Sequence, residues 1–519
     1  MKSLQLTPNY KMKKVKKILV SIYNKDCISQ LVKLVDKYNI EIISTGGTQT
    51  ALEKHGIKVT SVENLTDYPA ILGGRVKTLH PKIFGGILNR PNNKNDEKDL
   101  KKLKIGKIDM VIVDLYPFKE TVEAGESHAE IIEKIDIGGV SLIRAAAKNY
   151  KNTLIVSKIT ELESAINLIL SKDGCTEIND RLLFAKKAFN LTLSYETSIA
   201  QYFNDNDNTE LLPSTFHQNI EIGKQLRYGE NPHQEGRYYG DLEKLFEQLN
   251  GKELSYNNLL DIDSAIALMN EFKNPSFGIL KHNNACGFSS NNNLNTAWKK
   301  ALAGDPISAF GGVLITNQNI DLMTAKNINK LFFEILIAPS FSKESVELLK
   351  IKKNRIILRK KNVNLGRMSF RTVLNGVLCQ QKDFITDQDN INVVSNVNVS
   401  DKQMNDLIFA SKICKHTKSN AIVLAKDNQL LASGCGQTSR VDALKQAIFK
   451  AKHFGFSLEG SVMASDAFFP FPDCVEIAGN QGIKAVIQPG GSKNDQLSID
   501  YCNEHDMAMV FTGNRHFKH

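Results

Sequence analysis

Several groups that could bind an anion follow the apolar segments in the N-terminal part of the sequence. Ser21 and Lys25 follow the first such segment, and the turn 44–48, with the sequence STGGT, follows the second. A glycine-rich turn that runs into a helix presents free backbone N–H groups, and these favour a phosphate. The alternative is a tight turn in which a threonine only caps the helix.

A second loop concentrates cationic and hydrogen-bonding side chains. The sequence GGRVKTLHPK places Arg75, Lys77, Thr78 and His80 within six residues, which is more than a turn requires. Arg75 and Lys77 could instead be solvated. Taken with the glycine-rich turn, the loop predicts one site for an anionic ligand.

Groups suited to proton transfer follow two further segments. Tyr116 comes after a β-branched run, and Asp136 precedes Gly138 and Gly139 at the start of an amphipathic stretch. Lys148 lies about three helical turns later. An aspartate can accept and return a proton, and a lysine or a phenol can stabilise an oxyanion. Alternatively, Asp136 is only an N-cap and Lys148 lies on an exposed helical face.

The C-terminal part contains a second group of candidates. Arg227 beside Tyr228 combines a forked donor with an aromatic face. Lys281 and His282 follow an apolar run and precede an asparagine-rich turn. A single histidine is most often structural, so the case depends on other residues in the region. Polar or aromatic candidates beside strand-like runs or glycine-containing turns are Asn258, Phe310, Glu334, Asn420, Arg440, Phe468, Asp473, Arg515 and His519.

Hydrophobic patterning predicts the elements that must position these residues. In the first 160 residues the runs KKILVSIY, IEIIST, DMVIVDL and TLIVS alternate with amphipathic stretches, which predicts an α/β domain with a mostly parallel sheet. Ligands of such sheets bind beyond the carboxyl ends of the strands, where the N-terminal candidates fall. Further strand-like runs follow, and FGILKHNNACG and AIVLAKDNQLLASGCG share a strand, a lysine and an asparagine-containing turn. This similarity hints at a duplicated unit.

Length and composition set the wider frame. The 519 residues exceed what one hydrophobic core holds, so about two to four domains are expected. Linker-like stretches at 202–220 and near residue 390 predict the domains 15–205, 220–390 and 391–519, after an N-terminal extension 1–14. The sequence contains no membrane span or signal peptide core, and its eight cysteines are scattered without C-x-x-C spacing. A cytosolic protein is therefore expected.

The N-terminal motifs closely resemble a known domain. STGGT, GGRVKTLHP, LYPF and DIGGVSLIRAAAKN resemble the inosine monophosphate cyclohydrolase domain of the bifunctional purine-synthesis family, whose fold is like that of methylglyoxal synthase. The resemblance implies ring closure of a formylated carboxamide ribotide with loss of water, without a metal or an organic cofactor. It implies that Lys77, Tyr116, Asp136 and Lys148 surround the closing ring. It also implies nucleotide contacts for Ser21, Lys25, Thr45, Thr48, Arg75, Thr78, Gly138 and Gly139.

The C-terminal motifs resemble the other half of the same family. LRYGENPHQ, LKHNNACG, HTKSNAIV, GCGQTSR and SDAFFPFPD are similar, in this order, to the folate-dependent aminoimidazole carboxamide ribotide transformylase. That region consists of two cytidine-deaminase-like α/β subdomains without the deaminase zinc. The resemblance implies that 10-formyltetrahydrofolate donates a formyl group to 5-aminoimidazole-4-carboxamide ribotide, and that the protein is a homodimer with transformylase residues from both chains.

The same resemblance implies roles for individual residues. His282 would transfer the proton with assistance from Lys281, and Asn420 would position the carboxamide or the formyl group. Nucleotide contacts are implied for Arg227, Tyr228, Arg440, Arg515 and His519. A folate and base pocket is implied for Asn258, Phe310, Glu334, Phe468 and Asp473.

Three positions depart from the family pattern. Ala285 stands where the family usually has proline, so we expect a looser loop around His282. Pro472 replaces a polar or basic residue before Asp473, which affects the placement of that aspartate. Asp114 stands where relatives often carry asparagine and could change the charge near the closing ring.

Two other classes of protein are weighed against this resemblance. A zinc nucleobase deaminase would explain the H-x-E sequence at 128–130, but the P-C-x-x-C partner is missing, so His128 and Glu130 are expected on a solvated helix. A nucleic-acid-binding module would explain the net charge of +10 and the pI of 8.9. However, the basic residues are interleaved with acidic ones and do not form a cluster with aromatics. We therefore expect small-molecule substrates, and neither a metal, a nucleic acid nor a membrane as partner.

Overall fold

The computed structural model describes residues 12–206, 212, 214–220, 222–388 and 391–519. The chain divides into two compact units, Met1–Glu221 and Ile222–His519. None of the described helices is both long enough and apolar enough to cross a membrane.

The first unit is built on parallel strands connected by helices. Its strands are β1 Lys13–Lys14, β2 Lys17–Ser21, β3 Glu41–Ser44, β4 Val59–Ser61, β5 Met110–Val113, β6 Leu154–Val156 and β7 Cys175–Thr176. Its helices are α1 Ser29–Tyr38, α2 Gly46–Lys54, α3 Val62–Thr66, α4 Pro81–Leu88, α5 Lys94–Lys102, α6 Phe118–Glu123, α7 His128–Ile132, α8 Ile137–Lys148, α9 Leu162–Ser171 and α10 Ile178–Asn206.

Five of these strands form a fully parallel sheet in the order β4-β3-β2-β5-β6. The apolar residues of β2, β5 and β6 are buried, as expected for a parallel sheet that is covered on both faces. The strand order reverses between β2 and β5, and doubly wound sheets bind their ligands at such a switch point. The parallel α/β domain predicted from the alternating runs is confirmed.

The second unit contains a larger mixed sheet. Its strands are β8 Gly223–Gln225, β9 Arg237–Tyr239, β10 Phe246–Asn250, β11 Ser276–Lys281, β12 Asn284–Ser290, β13 Val313–Thr316, β14 Ile335–Ala338, β15 Ile356–Lys360, β16 Met368–Val373, β17 Gly376–Gln381, β18 Asn392–Val393, β19 Ile422–Lys426, β20 Gln429–Gly434, β21 Val462–Ser465, β22 Ala485–Gln488 and β23 Ala508–Phe511. Its helices are α11 Leu242–Leu245, α12 Tyr256–Met269, α13 Leu294–Gly304, α14 Leu322–Ile328, α15 Lys343–Lys350, α16 Asp401–Lys415, α17 Arg440–His453, α18 Asp473–Gly479 and α19 Asp495–Glu504.

The larger sheet has 12 strands in the order β10-β15-β14-β13-β11-β12-β20-β19-β21-β22-β23-β18. Each half contains a central antiparallel hairpin, then three mutually parallel strands and an antiparallel edge strand. The halves meet where Ser289 of β12 pairs with Gln429 of β20. The two segments that hinted at a duplication form the equivalent hairpins β11–β12 and β19–β20, so the hint is confirmed.

The structure changes several expected boundaries. The linker-like stretch 202–220 begins inside α10, which continues to Asn206, while 207–211, 213 and 221 lie outside the described residues. In the predicted extension 1–14, Lys13 and Lys14 form a strand that pairs with β7, and 1–11 lie outside the described residues. The stretch near 390 contains β18, which pairs with β23 at the edge of the sheet. Short polar strands at sheet edges have no hydrophobic alternation, and for this reason the sequence did not reveal them.

Candidate active sites

A cavity of about 780 Å³ opens at the carboxyl ends of β2, β3 and β5 in the first unit. It therefore lies at the switch point of the parallel sheet, where the fold predicts a ligand. The structure brings together here most of the N-terminal candidates: Ser21, Lys25, Thr45, Thr48, Arg75, Lys77, Thr78, Tyr116, Asp136, Gly138 and Gly139.

One wall of the cavity is the N-terminus of α2. Thr45 is its N-cap residue, and the Thr45 side chain makes no capping hydrogen bond within the described part of the chain. A Cβ built on Gly46 would lie 3.9 Å from the Nζ of Lys77, and one built on Gly47 would lie 3.8 Å from the Nζ of Lys25. Two ammonium groups thus flank a helix N-terminus whose N–H groups lack a side-chain cap. This combination suits a phosphate.

The N-terminus of α8, on another wall, is satisfied differently. Asp136 is its N-cap, and its Oδ1 accepts a hydrogen bond of 2.6 Å from the N–H of Gly139. A Cβ on Gly139 would come too close to this carboxylate, so any larger residue would displace the side chain of Asp136. Burial raises the pKa of Asp136, although the N–H groups of Gly139, Tyr116 and Gly138 oppose the shift. Asp136 is therefore an N-cap and also a half-buried carboxyl group with a raised pKa, a property that is common among groups that transfer protons.

Two further groups shape the electrostatics beside Asp136. Burial raises the pKa of the Tyr116 phenol, and the nearby Asp136 adds to the shift, so Tyr116 keeps its proton and can donate. Asp114, one of the departures from the family pattern, accepts backbone N–H groups from Tyr23 and Asn24. Burial raises its pKa as well. Asp114 therefore fixes the loop after β2 besides adding a carboxyl group to the cavity.

Two predicted binding residues use their polar groups in hydrogen bonds or an ion pair within the protein. The Oγ1 of Thr48 donates to the carbonyl of Ile22 at 2.9 Å and accepts from its N–H at 3.3 Å. Arg75 forms an ion pair with Glu133, and both side chains are more than half exposed. Thr48 thus fastens the loop after β2, and Arg75 lies at the solvated rim of the cavity.

Lys148 is not brought to this cavity. It is the exposed last residue of α8, whereas Asp136 caps the first turn. The helix has 12 residues, which at 1.5 Å per residue separates its ends by about 17 Å. A helix that starts at the carboxyl edge of a parallel sheet runs back towards the opposite edge, and α8 therefore carries Lys148 away from the cavity.

Tyr195 on α10 was not predicted from the sequence, although it helps to hold the wall of the cavity that carries Asp136, here called the acidic wall. Its hydroxyl donates to the carbonyl of Lys134 at 2.6 Å and accepts from the N–H of Asp136 at 2.9 Å. Burial raises its pKa far above the usual range, so the phenol remains neutral. A tyrosine whose hydroxyl bonds only to backbone groups leaves no motif, and nothing in the sequence would have identified it.

The second group of candidates centres on the hairpin between β11 and β12. Lys281 pairs with Asn284 across the hairpin. His282 and Asn283 form the two-residue turn with φ angles of 49° and 65°, the left-handed conformation that tight hairpins require. The Nζ of Lys281 donates to the carbonyl of Phe310 at 2.9 Å. The imidazole of His282 is consequently held out from the sheet and exposed.

Asn284 connects this hairpin to the loop that carries Asn420. Its Nδ2 donates to the carbonyl of His282 at 2.8 Å, and its Oδ1 accepts from the N–H of Lys418 at 2.9 Å. The Oδ1 of Asn420 in turn accepts a hydrogen bond of 2.9 Å from the guanidinium of Arg440. The carbonyl of His282 is therefore tied through Asn284 to the loop 418–420, where Asn420 forms a polar network with Arg440.

Asp466, which the sequence reasoning passed over, completes this network. Its Oδ1 lies 3.2 Å from the guanidinium of Arg440. Its Oδ2 and the Nε of Arg440 are buried and find no hydrogen-bond partner among the described residues. Buried polar atoms of this kind need water or a ligand. The signal was the aspartate at the start of SDAFFPFPD, the motif in which only Phe468 and Asp473 were singled out.

The C-terminal candidates are held by a buried histidine. His516 lies 2.6 Å from Asp383 and 3.0 Å from Asp387. The hydrogen bonds and charges of the two aspartates outweigh the effect of burial and raise the pKa of His516 to about 9. This imidazolium anchors the segment that carries Arg515 and His519.

The other predicted pocket residues are dispersed. The Oδ1 of Asn258 accepts from the N–H of Ser255 in a capping box, Glu334 pairs with Lys252 at 2.7 Å, and Phe468 is 37% exposed. Arg227 lies 4.8 Å over the ring of its neighbour Tyr228, and the ring of Phe310 packs at a tilt against that of Phe332. The structure links Phe310 to Lys281 directly, but it does not gather this whole set around one cavity.

The remaining departures have local structural roles. Ala285 is buried and pairs with Leu280 in the hairpin, so it packs in the core close to the turn. Pro472 is the N-cap residue of α18, and the Asp473 side chain accepts the N–H of Cys474 at 2.8 Å. Asp473 is thereby used at the start of its own helix.

The elements of the deaminase alternative lie on α7. His128 is exposed and bonds to the hydroxyl of Tyr202 at 2.8 Å, and Glu130 forms a capping box with Ser127. Among the described residues no group of three or more histidine, cysteine, aspartate or glutamate side chains is arranged to hold a metal.

The two units define a class of protein: a two-part α/β protein with a cavity suited to an anion in one part and a duplicated sheet carrying a lysine–histidine hairpin in the other. Comparison with known families makes this specific. An MGS-like domain matches residues 28–141, and the AICARFT/IMPCHase bienzyme family matches residues 146–450.

Curated relatives extend the match to nearly the whole chain. A bifunctional purine biosynthesis protein PurH of Bacteroides thetaiotaomicron is 54% identical over 98% of this chain and 99% of its own. Proteins of the same name from Thermoanaerobacter sp. and Caldicellulosiruptor saccharolyticus are 45% and 43% identical, each over 97% of this chain and 100% of its own. A solved structure titled "Crystal structure of ForH" is 28% identical over 37% of this chain, with a TM-score of 0.34, a likeness too limited to add to the fold.

The chain belongs to the AICARFT/IMPCHase bienzyme family. It is a bifunctional enzyme of purine biosynthesis, a formyltransferase acting on aminoimidazole carboxamide ribotide and an inosine monophosphate cyclohydrolase, and its formyltransferase activity uses a folate co-substrate.

Removing the Tyr195 hydroxyl is expected to disturb the acidic wall. Tyr195→Phe leaves the carbonyl of Lys134 and the N–H of Asp136 without this partner, so the free energy of unfolding should fall by about 1–3 kcal/mol and cyclohydrolase activity should fall with it. Thermal unfolding and cyclisation assays measure both effects. The matched control is Tyr202→Phe, whose hydroxyl contacts the exposed His128. Equal effects of the two variants would contradict this role.

The buried imidazolium predicts a pH dependence of stability. The pKa of His516 is about 9 in the folded protein, against about 6.5 when unfolded, so its contribution is complete below pH 6.5 and is lost as pH rises to 9. The difference amounts to ~3 kcal/mol. Urea unfolding followed by the fluorescence of Trp298, the only tryptophan, measures the loss between pH 6.5 and 9. His516→Gln should remove this part of the pH dependence, and an unchanged profile would contradict it.

Proposed function

We propose that cyclisation takes place in the cavity of the first unit, with the nucleotide in a defined orientation. Its phosphate binds at the uncapped N-terminus of α2 beside Lys25 and Lys77, and its heterocycle lies against Asp136 and Tyr116. The contrast between the two helix ends supports this orientation: a phosphate would be repelled by the carboxylate that caps α8 and attracted by the ammonium groups beside α2.

Ring closure needs few groups from the protein. The carboxamide nitrogen attacks the formyl carbon, the formyl oxygen becomes a hydroxyl group, and this group leaves as water. Tyr116, whose raised pKa keeps it protonated, donates a hydrogen bond to the formyl oxygen. Asp136 takes a proton from the attacking amide nitrogen and passes it to the formyl oxygen, which becomes the hydroxyl group. It then takes a second proton from a nitrogen of the closing ring and passes it to this hydroxyl, which leaves as water as the C=N bond forms. Lys148, at the far end of α8, has no part in this scheme.

We propose that formyl transfer takes place beside the hairpin of Lys281 and His282, with 10-formyltetrahydrofolate as donor. The 5-amino nitrogen attacks the formyl carbon to give a tetrahedral intermediate, and the bond from this carbon to N10 of the folate then breaks. His282 carries the amine proton to N10, and the Lys281 ammonium stabilises the intermediate oxyanion. Asn420 orients the carboxamide. The network through Asn284 supports this assignment because it ties the hairpin to the loop of Asn420.

We further propose three domains near the limits 15–205, 220–390 and 391–519, with the first extended to include β1 and the end of α10. The last two would be cytidine-deaminase-like subdomains, in a cytosolic homodimer whose transformylase sites use residues from both chains. The hairpin β16–β17 supports a dimer because Leu374 and Leu378 on it are largely exposed. The wide spacing of the transformylase candidates within one chain also fits sites completed by a partner.

The proposed role of Asp136 in cyclisation can be tested by an isosteric substitution. Asp136→Asn preserves the N-cap but removes the titratable proton, so cyclisation should slow about 100-fold or more while formyl transfer is unchanged. Separate assays of tetrahydrofolate release and of inosine monophosphate formation from formylated ribotide measure the two steps. Asp114→Asn is the matched control from the same cavity and should have the smaller effect. Normal cyclisation by Asp136→Asn would refute the assignment.

A substitution in the hairpin of Lys281 and His282 is expected to have the opposite effect on the two activities. His282→Ala should slow formyl transfer by about 100-fold or more and leave cyclisation of supplied formylated ribotide intact, because the two reactions use different units. His453→Ala, an exposed histidine at the end of α17, serves as the control. Loss of both activities in folded His282→Ala, or retention of formyl transfer, would contradict the proposal.

A further inference from the structure

The catalytic hairpin has a structural copy in the other half of the large sheet. In that copy Asp427 and Asn428 form the turn between β19 and β20, with φ angles of 54° and 51°, and Lys426 pairs with Gln429 across it. The Nζ of Lys426 donates to the carbonyl of Glu459, as that of Lys281 does to Phe310. The same hairpin with a two-residue left-handed turn is therefore present twice, and the first residue of the turn is histidine in one copy and aspartate in the other.

An aspartate from the preceding helix supports each turn. The Oδ1 of Asp261, on α12, accepts the N–H of Asn283 at 2.7 Å. Asp406, at the equivalent place on α16, accepts the N–H groups of Asp427 and Asn428 at 2.9 and 2.7 Å. These bonds fix the turns because left-handed residues other than glycine persist only where their surroundings hold them.

The two turns differ in what their first residue can do. The carboxylate of Asp427 is paired with Lys402, so it is engaged within the protein. His282 is exposed and forms no ion pair among the described residues, so its imidazole is available to a substrate. Loss of Asp261 can therefore affect catalysis through His282, whereas loss of Asp406 can affect only the structure of its turn.

We propose that Asp261 is a positioning residue for formyl transfer, which holds the left-handed turn so that the imidazole of His282 meets the amine in one orientation. This inference rests on the proposed role of His282. Asp261 is partly buried, and the charged or titratable groups around it are His282, Lys281 and Glu334. Displacement of a reacting group by about 1 Å can cost roughly 100-fold in rate, so loss of the supporting hydrogen bond should affect the chemical step.

Variants that separate the hydrogen bond from the charge test the proposal in the full-length enzyme. Asp261→Asn retains an acceptor oxygen and should keep kcat for formyl transfer within about threefold of the wild type. Asp261→Ala loses the acceptor and should lower kcat about 10- to 100-fold, with KM for the ribotide within about twofold and cyclisation unchanged. Asp406→Ala, the matched control, loses two hydrogen bonds of the same kind and should leave kcat within about threefold.

Three outcomes would overturn the proposal: an unchanged kcat in Asp261→Ala, an Asp261→Asn variant as slow as Asp261→Ala, or an equal loss in Asp406→Ala. Should Asp261→Ala fail to fold, Asp261→Glu replaces it, because its carboxylate lies one methylene further out and should lower kcat more than Asp261→Asn does. His282→Ala is assayed in parallel. If that variant keeps formyl transfer, the proposed function fails, whereas a slow His282→Ala beside a fast Asp261→Ala refutes only the positioning role.

Discussion

Backbone N–H groups at the ends of helices and in tight turns require acceptors, and the way this protein supplies them underlies both candidate sites. Asp136 satisfies the N-terminus of α8, and Asp261 satisfies the turn that carries His282. The N-terminus of α2 has no such side chain from within the described residues, and lysines flank it instead. The capped end is satisfied by the protein itself, whereas the uncapped end flanked by lysines suits a negatively charged ligand.

Burial gives these capping carboxylates a second property. A fully solvated aspartate is ionised at neutral pH and gives up its proton too readily to return it. In the first cavity burial raises the pKa of Asp136 even though backbone N–H groups oppose the shift. Near the C-terminus two aspartates have the opposite effect on a base, because their hydrogen bonds and charges raise the pKa of His516. How well an acid is solvated and paired thus decides whether its own pKa rises or whether it raises the pKa of a neighbouring base.

The sequence predicted the parallel sheet and most residues around the first cavity, and it hinted at a duplicated unit, because strands and glycine-rich turns leave local patterns. It misplaced Lys148, since a motif gives the order of residues along a helix but not the edge of the sheet at which the helix ends. It also missed Tyr195, Asp261 and Asp466. These side chains contact backbone groups or a single partner distant in the sequence, and such contacts arise only from folding.

The two hairpins of the duplicated sheet have nearly the same structure and differ mainly in one residue of the turn. Both hairpins place a lysine before the turn, an asparagine as its second residue and an aspartate beneath it. They differ at the first residue of the turn, where Asp427 is neutralised by Lys402 and His282 is left exposed. Because the left-handed backbone is held by the same means in both copies, the identity of this one side chain, together with what surrounds it, decides whether the turn can transfer a proton. A rigid scaffold that tolerates either residue would let the proposed proton transfer reside in one hairpin while the other hairpin keeps only its structural role.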